Sequence, residues 1–438
     1  MRLGCIADDF TGATDLANNL VRAGMRVVQT IGVPEQPLDA SVDAVVVALK
    51  SRTIPPAEAV EQSLQALSWL QDQGAEQIYF KYCSTFDSWY EGDVRGNIGP
   101  VTEALMQALS CDFTMATPAF PDNQRSVFKG HLFVGDVLLS DSGMRHHPLT
   151  PMTESNLVKV MQGQCTKAVG LVDHKAVSQG PDAVNQRFAQ LRQQGVGVAI
   201  VDAVDNADLM RLGQALKGMK LVTGGSGVAI GLPANWGIAP NPQAAQLPMA
   251  EGLQAVVSGS CSQATRAQVA HVKAQGWPCK ALDVRALVAG GDAAIEAMSQ
   301  EAVEWAKRLL PKGPVLIYST DEPEVVKAVQ DQWGSLKAGH AVEQALARVA
   351  SGLVQAGVGQ LVVAGGETSG ACVQSLAVTQ LQIGAQIDPG VPWCHARLPR
   401  SAGAAAGRGL HLSLKSGNFG SEDFFIKALG LLTQAARF

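Results

Sequence analysis

The sequence has eight cysteines among its 438 residues but no pair at Cys-x-x-Cys spacing. That absence argues against a zinc ribbon or a redox dithiol. Charged residues make up only 17% of the chain and the net charge is -5, so the basic face that a nucleic-acid partner requires is missing. Apolar runs such as VDAVVVAL are too short to span a membrane, and two acids interrupt MRLGCIADDF where a signal peptide would be apolar. We therefore expect a cytoplasmic protein with no nucleic-acid or membrane partner.

The chain also lacks the common nucleotide-binding and hydrolase signatures. It contains no GxxxxGKS or GxxxxGKT P-loop, no protein-kinase HRD and DFG set, and no GxGxxG that opens the chain in the dinucleotide arrangement. No GxSxG elbow supplies a hydrolase nucleophile. A nucleotide site in this protein must therefore be built from other turns.

Short apolar runs alternate with segments of helical spacing along the chain, which is typical of a mainly parallel α/β sheet. The length exceeds one ordinary core, and the proline-rich stretch Pro233–Pro248 is predicted to be a linker. We therefore predict two lobes with an inter-lobe cleft, each a mainly parallel sheet flanked by helices, with domains at 1–235 and 250–438. The predicted strands are Leu3–Ala7, Ala44–Leu49, Gln77–Lys81, Phe113–Thr117, Ala168–Val172, Val196–Val201, Lys220–Val222, Gln254–Ser258, Lys280–Asp283, Pro314–Ser319, Gln360–Ala364 and Leu410–Lys415.

Two adjacent acids, Asp8 and Asp9, follow the first predicted strand in the motif ADDFTGA. Ligands of open α/β sheets bind beyond the carboxyl ends of the strands, so these acids are expected beside a substrate. A carboxylate there can accept a hydrogen bond from a hydroxyl, or take its proton during phosphoryl transfer. Capping of the next helix is the alternative, but one cap needs only one acid.

A second polar motif, FKYCSTFD, lies at the end of another predicted strand and contains Lys81, and RGNIG comes soon after it. The charge of Lys81 suits a substrate carboxylate. Gly96 and Gly99 flank a helix start, where free backbone N–H groups favour an anion. A solvated lysine and an ordinary glycine turn are the alternative interpretation of these residues.

The segment from Pro118 to Pro151 is long and poor in periodicity, which in a compact domain indicates a functional loop. It carries two arginines and three histidines, with Arg125 and His131 the candidates for contact with an anionic substrate. Adjacent His146 and His147 lack the i, i+4 spacing that places two metal ligands on one helix face, so no metal site is predicted.

Three glycine-rich turns follow predicted strands in the second half: Ser258–Ser262, Gly365–Gly370 and Ser416–Gly420. A strand, a turn of small residues and a helix together bring backbone N–H groups close to phosphate oxygens at the positive end of the helix. Three such turns, each with Ser or Thr, predict a nucleotide site. The residues alone thus indicate a two-lobe α/β enzyme that binds an anionic substrate in one lobe and a phosphate-bearing ligand in the other.

Several stretches, in order along nearly the whole chain, resemble the four-carbon acid sugar kinase family. They are ADDFTGA, FKYCSTFDS, PAFPDNQRSVFKGHLFVGDVLLSDSGMRHHPLTPMT, GSCS, GGETSG and LKSGNFG, and the long middle run resembles the 3-oxo-tetronate kinase branch. The resemblance implies an N-terminal lobe for the sugar acid, a C-terminal lobe for ATP with its Mg²⁺, and phosphorylation of the C4 hydroxyl of 3-oxo-tetronate. The insertion SWYEGDVR departs from the family pattern and adds Arg95.

Carried over by motif, the resemblance implies Asp8 and Asp9 as catalytic residues. It implies substrate contacts from Lys81, Arg95, Gly96, Asn97, Arg125 and His131, and nucleotide contacts from Ser258, Gly365, Gly366, Glu367, Thr368 and Gly417. Two other functions stay open at this point: a nicotinamide-dependent oxidoreductase of sugar acids, and a sensor that binds a sugar acid without turnover. The oligomeric state is also open, with a homodimer among the options.

Overall fold

The computed structural model describes residues 1–34, 38, 42–88, 96–147, 150–320, 328 and 331–435. The chain divides into two compact units, Met1–Ala245 and Gln246–Phe438. Among the described residues, no helix has both the length and the apolar character needed to cross a membrane.

The first unit is built on a parallel sheet with the strand order β2-β3-β1-β4-β11-β5-β10-β9. Its central strands are buried on both faces, which explains why they are almost continuous apolar runs. The elements are β1 (Leu3–Ala7), α1 (Phe10–Arg22), β2 (Val27–Ile31), β3 (Ala44–Ala48), α2 (Pro56–Asp72), β4 (Gln77–Lys81), α3 (Ile98–Ala108), β5 (Thr114–Thr117), β6 (Arg125–Phe128), β7 (His131–Val134), β8 (Val137–Leu138), α4 (Leu157–Gln164), β9 (Ala168–Val172), α5 (His174–Ser178), α6 (Pro181–Gln193), β10 (Val196–Val201), α7 (Asn206–Ala215) and β11 (Leu221–Gly224).

The segment that sequence analysis treats as a loop contains a small antiparallel sheet, β6-β7-β8. The turn between β6 and β7 has positive φ at Lys129 (54°) and Gly130 (72°). Buried Asp202, just after β10, accepts hydrogen bonds from both turn amides at 2.7 and 2.8 Å. The hairpin is therefore fixed to the carboxyl end of β10, and Arg125 is held by a strand.

The second unit has the strand order β13-β14-β12-β15-β18-β17-β16, in which β16 and β17 are antiparallel to their neighbours and the other pairs are parallel. The mainly parallel sheet predicted for each half is confirmed. The elements are β12 (Leu253–Ser258), α8 (Gln263–Ala274), β13 (Cys279–Ala281), α9 (Val284–Lys307), β14 (Val315–Tyr318), α10 (Ser335–Gln355), β15 (Val358–Ala364), α11 (Gly366–Ser375), β16 (Gln380–Asp388), β17 (Val391–Arg397), β18 (Gly409–Lys415) and α12 (Phe424–Ala435).

A buried apolar cluster joins this second sheet to its helices. Val256 and Val362 of the sheet pack with Trp393 and with Phe424 and Phe425 at the start of α12. Burial of one aromatic or branched side chain stabilises the folded unit by about 1.5–3 kcal/mol. The cluster thus fixes the parallel strands whose carboxyl ends carry the glycine-rich turns.

Candidate active site

Asp8 and Asp9 lie at the carboxyl end of β1, as predicted. Asp9 caps α1, because its carboxylate accepts hydrogen bonds from the Gly12 amide at 2.9 Å and the Thr11 hydroxyl at 2.8 Å. The capping alternative is therefore correct for Asp9. It leaves open a second role for the same carboxylate, because a carboxylate has about four acceptor positions.

Arg52, which sequence analysis did not select, joins the two acids. Its guanidinium donates two hydrogen bonds to Asp8, both 2.9 Å, and one of 2.6 Å to Asp9. It also lies 4.0 Å from the carboxylate of Asp87. Burial opposes ionisation of Asp9, but the charges of Arg52 and Lys81 outweigh it and hold the pKa of that carboxyl below its ordinary value.

Lys81 completes this group at the end of β4, where it is opposite Ala7 in the parallel register. Its side chain is buried, and its Nζ lies 3.7 Å from Oδ1 of Asp9. Gly12 provides the space, since a Cβ there would lie 2.0 Å from Nζ of Lys81 and 2.2 Å from Oδ1 of Asp9. We call Asp8, Asp9, Arg52, Lys81 and Asp87 the acid–base cluster.

Asp15, one turn further along α1, is a buried carboxyl that no sequence motif marks. Its Oδ2 accepts a hydrogen bond from the Ser226 hydroxyl, and its Oδ1 has no hydrogen-bond partner among the described residues. Burial raises the pKa of Asp15 to about 7, against the opposing effects of Lys81 and Ser226. The group therefore titrates in the physiological range.

Arg125 is a cation whose described neighbours include no carboxylate partner. The guanidinium donates to the Asn123 carbonyl, while its buried Nε has no hydrogen-bond partner among the residues that the structure describes. Across the described part of the chain, no carboxylate oxygen lies within the 4.0 Å ion-pair distance of Arg125. Burial lowers its pKa, and the charges of Asp15 and Asp87 act on it in the opposite direction. A partly buried arginine in this state is suited to an anionic ligand.

The other residues predicted to contact the substrate have different surroundings. Buried Asn97 donates through its amide to the carbonyls of Ser51, Arg52 and Ile54 at 2.7, 3.1 and 2.9 Å. It therefore holds the segment that carries Arg52, a role that differs from direct substrate contact. Arg95 lies outside the described residues.

The start of α3 does not offer the free amides that the sequence analysis expected. The Ile98 amide donates to the Ser88 hydroxyl at 3.3 Å, and the Gly99 amide donates to Oε1 of Gln164 at 3.1 Å. A Cβ on Gly96 would lie 2.7 Å from Cα of Ser88, so that glycine allows close packing. The expectation of free N–H groups here is wrong, because side chains already accept from them.

His131 begins β7 and pairs with Phe128, three positions along β6 from Arg125. Its Nδ1 lies 2.9 Å from the Lys129 carbonyl, inside the same hairpin. The geometry thus brings Arg125 into the electrostatic range of the acidic residues, whereas the hydrogen bond of His131 is to its own turn.

In the second unit, the three glycine-rich turns follow three adjacent parallel strands. Ser258 of β12, Ala364 of β15 and Lys415 of β18 are in register, so the turns begin side by side at the carboxyl ends of these strands. A Cβ on Gly365 would lie 3.3 Å from the Ser260 amide, and one on Gly417 would lie 2.5 Å from Oγ of Ser260. The turns at Gly365 and Gly417 therefore approach the turn at Ser260 closely, and they can do so because glycine has no side chain.

Two of these turns lead directly into helices. Ser262 caps α8 by accepting from the Thr265 amide at 3.2 Å, and Gly365, with φ 123°, precedes α11. Gly366 and Glu367 are exposed in the first turn of α11, while Thr368 is buried with its Oγ1 against Gly259 and Gly365. Ser258 is fully buried and bonds Thr320 at 2.9 Å, so it supports the turn from beneath. Two helix N-termini with small residues in front favour an anion.

In the ranges that the structure describes, no three His, Cys, Asp or Glu side chains are grouped so that they could hold a metal ion. The second-unit turns do present hydroxyl oxygens and the carboxylate of Glu367, which are donors of the type that Mg²⁺ accepts.

Comparison with known protein families agrees with this division of the chain. A family described as a sugar-binding N-terminal domain matches residues 3–232, and one described as a nucleotide-binding C-terminal domain matches residues 255–425. Each match lies within one of the two compact units, so the chain is similar over both units to a class of proteins with a sugar-binding N-terminal domain and a nucleotide-binding C-terminal domain.

Curated relatives are similar over almost their full length. The 3-oxo-tetronate kinase of Pseudomonas fluorescens is 55% identical over 435 residues, covering 98% of this chain and 97% of the relative. The 3-oxo-tetronate kinase of Cupriavidus necator is 54% identical over 434 residues, covering 98% and 96%. The chain belongs to the four-carbon acid sugar kinase family, in its 3-oxo-tetronate kinase branch.

Solved structures of similar proteins support the fold. A Salmonella typhimurium LT2 protein superposes with a TM-score of 0.84 at 43% identity, over 98% of both chains. A Haemophilus influenzae protein gives a TM-score of 0.75 at 45% identity, over 98% of this chain and 100% of its own.

Proposed function

We propose that this protein is an ATP-dependent kinase that phosphorylates the C4 hydroxyl of 3-oxo-tetronate, giving 3-oxo-tetronate 4-phosphate and ADP. The proposal rests on two different sets of residues, each at the carboxyl ends of the parallel strands of one unit. Charged side chains converge at one edge and glycine-rich turns at the other, in a chain whose relatives are named for this reaction. A kinase of a small acid needs one site of each kind.

The sugar-acid site is assigned to residues 1–235. Lys81 and Arg125 are the cations proposed to hold the substrate carboxylate. In the described part of the chain, Arg125 has no carboxylate partner, and the Nζ of Lys81 lies as far as 3.7 Å from Oδ1 of Asp9. Asp8 and Asp9 are proposed to orient the attacking hydroxyl. Arg52 fixes both carboxylates, so they meet the hydroxyl with little loss of freedom.

The nucleotide site is assigned to residues 250–438. Gly365, Gly366, Glu367 and Thr368 at the start of α11 and the turn at Gly417 are proposed to surround the phosphates, with Ser258 supporting them. Mg²⁺ would be held by the phosphate oxygens, with the carboxylate of Glu367 as the oxygen donor from the protein, and when bound it neutralises charge that develops on the phosphates.

In the reaction, the C4 oxygen forms a bond to the γ-phosphorus while the bond from the γ-phosphorus to the bridging oxygen of ADP breaks. The hydroxyl proton passes to a carboxylate of the Asp8–Asp9 pair. A lowered pKa makes Asp9 a weak base, but a loose phosphoryl-transfer transition state requires positioning of the hydroxyl more than a strong base.

The test is a coupled ADP-release assay with 3-oxo-tetronate, threonate and erythronate as acceptors, followed by phosphorus NMR of the product. We expect ADP release to depend on a four-carbon acid, with 3-oxo-tetronate preferred. The product phosphorus should couple to the two protons of a CH₂ group, because C4 is the terminal carbon. Binding of the acid with no ADP release would instead favour a sensor, and an absorbance change with NADH would favour an oxidoreductase.

A further inference from the structure

Lys415, the last residue of β18, is a fully buried lysine beside the turn Ser416–Gly420. Its Nζ donates to Oγ1 of Thr265 at 3.0 Å. It also donates to the carbonyls of Ser416, Gly417 and Phe419 at 3.0, 3.1 and 3.1 Å. Over the described ranges no carboxylate oxygen lies within 4.0 Å of this ammonium. All of its contacts are therefore to neutral oxygens, most of them in one turn.

The Gly417 carbonyl connects this turn to the start of α8. Besides the Lys415 ammonium, it accepts from the hydroxyl of Ser262 at 2.5 Å and from the hydroxyl of Thr265 at 2.8 Å. The Thr265 hydroxyl thus donates its proton to the Gly417 carbonyl, and its oxygen accepts a hydrogen bond from the Lys415 ammonium. Lys415, Thr265 and Ser262 together fix the position of Gly417 against the cap of α8.

The number of donors on Lys415 decides whether this arrangement holds. An ammonium has three N–H donors for these four acceptors, so two acceptors share one donor, whereas a neutral amine has only two donors and a lone pair that repels an oxygen. Loss of the proton therefore leaves at least one turn carbonyl without its donor. Burial of an ammonium without a carboxylate partner costs free energy. Lys415 is therefore better explained by its effect on the shape of the turn than by a contribution to stability.

We propose that Lys415 is a positioning residue for the nucleotide, and that its ammonium form holds the Ser416–Gly420 turn in the shape that receives phosphate. This inference rests on the proposed kinase function, because it assigns the turn to ATP. Lys415 itself, buried beneath the turn, acts through the Gly417 carbonyl and the backbone that follows it.

The surroundings make this contact sensitive to pH near neutrality. Burial alone lowers the pKa of Lys415 to about 7, while the four oxygen acceptors favour the charged form. No charged side chain contributes to the shift. The titratable side chains on the elements packed around Lys415 are Arg266, His271 and Lys273 of α8, Glu367 and Cys372 of α11, Cys394, His395 and Arg397 of β17, His411 of β18, Lys427 of α12, and Glu422 and Asp423 between the turn and α12.

The first test measures the dissociation constant of MgATP by calorimetry from about pH 6 to about pH 9, for wild type, Lys415→Met and the surface control Lys307→Met. At low pH, Lys415→Met should bind MgATP about tenfold more weakly, the loss expected for a charge-assisted hydrogen-bond network. The difference should shrink as pH rises through about 7, because wild type then loses the same proton. Titration of the nucleotide is common to all three proteins and cancels in the ratio.

The second test needs no nucleotide. Hydrogen exchange of the peptide spanning Lys415 to Phe424, expressed as protection relative to the unstructured chain, should show faster opening in Lys415→Met than in wild type or Lys307→Met. The melting temperature of Lys415→Met should not fall, because the change removes a buried cation. The proposal for Lys415 would be overturned if Lys415→Met and wild type showed equal hydrogen exchange in the turn and the same pH dependence of MgATP binding. If wild type released no ADP with any of the acids, the kinase assignment would be refuted, and the exchange result would still show whether Lys415 holds the turn.

Discussion

We propose that the two sites, at the carboxyl ends of the strands in each unit, bind their anionic ligands in different ways. In the first unit, the acid–base cluster places charged side chains in direct contact, as in the double hydrogen bond from Arg52 to Asp8. In the second unit, the turns meet through glycines, hydroxyls and carbonyls, and the buried charge beneath them, Lys415, contacts neutral oxygens. On this proposal, the first site recognises its ligand by side-chain charge, and the second by the shape of the backbone.

This difference determines which substitutions each edge tolerates. Removal of one charge from the cluster leaves its partners buried and uncompensated, which costs far more than the loss of one neutral contact. In the glycine turns, an added methyl group matters more than a change of charge, because a Cβ on Gly417 would lie 2.5 Å from Ser260.

The largest effect is expected for Lys81→Met. The change removes a buried cation that is assigned to the substrate carboxylate, and loss of one partner of a buried charge pair between protein and ligand costs about 2–5 kcal/mol. We expect kcat/KM for the sugar acid to fall about 1,000-fold, since each 1.4 kcal/mol is tenfold, while the dissociation constant of MgATP stays unchanged. Steady-state kinetics and calorimetry measure the two quantities. Lys217→Met, at an exposed position of the same unit, is the control, and a fall in MgATP affinity would show that the edges do not act separately.

Asp9→Asn should have the next largest effect. Asparagine caps a helix as well as aspartate does, so the bonds to Gly12 and Thr11 can persist while the negative charge is lost. We expect kcat to fall about 100-fold, the lower end of what acid–base and orienting groups contribute, with little change in MgATP affinity. Turnover that stays within a few-fold of wild type would show that Asp9 has no catalytic role beyond the cap.

Gly417→Ala tests the second edge with volume alone. The added methyl group would press on Ser260 and move the turn away from the cap of α8. We expect KM for ATP to rise about tenfold, a cost of about 1.4 kcal/mol, with KM for the acid unchanged. Gly430→Ala, which meets nothing within 4 Å, is the matched control. If both variants behave alike, the turn at Gly417 does not shape the nucleotide site.

The buried strands were the part of the fold most accessible from sequence. Gln77–Lys81 and Val196–Val201 were predicted with their observed bounds, because strands covered on both faces are short apolar runs between turn residues. The strands Gln380–Asp388 and Val391–Arg397 were not predicted. Their polar residues, together with Gly384 and Pro392, interrupt the apolar pattern, and they form the antiparallel part of the sheet.

The candidate sites divide in the same way. Asp8, Lys81 and the glycine turns were found from sequence because they end or directly follow a recognisable strand. Arg52 was missed because its partners depend on β3 lying beside β1, which chain order does not reveal. Asp15 and Lys415 were missed for another reason. A charged residue in a helix or at a strand end is normally solvated, and only tertiary packing buries these two.

The smallest expected effect concerns the stability of the first unit and its buried carboxyl. Because burial raises the pKa of Asp15 from 3.8 to about 7, the folded protein keeps this proton between those values while the unfolded chain has released it. Stability from this group is therefore full below about pH 4 and is lost as pH rises toward 7.

Asp15→Asn cannot ionise, and its amide oxygen can still accept from Ser226. We expect the variant to melt with wild type near pH 4 and roughly 5 °C higher near pH 8, whereas the exposed control Asp112→Asn should follow wild type throughout. Parallel curves for wild type and Asp15→Asn would mean that Asp15 is already ionised in the folded protein, and that Lys81 and Arg125 compensate its charge more completely than its unpartnered oxygen indicates.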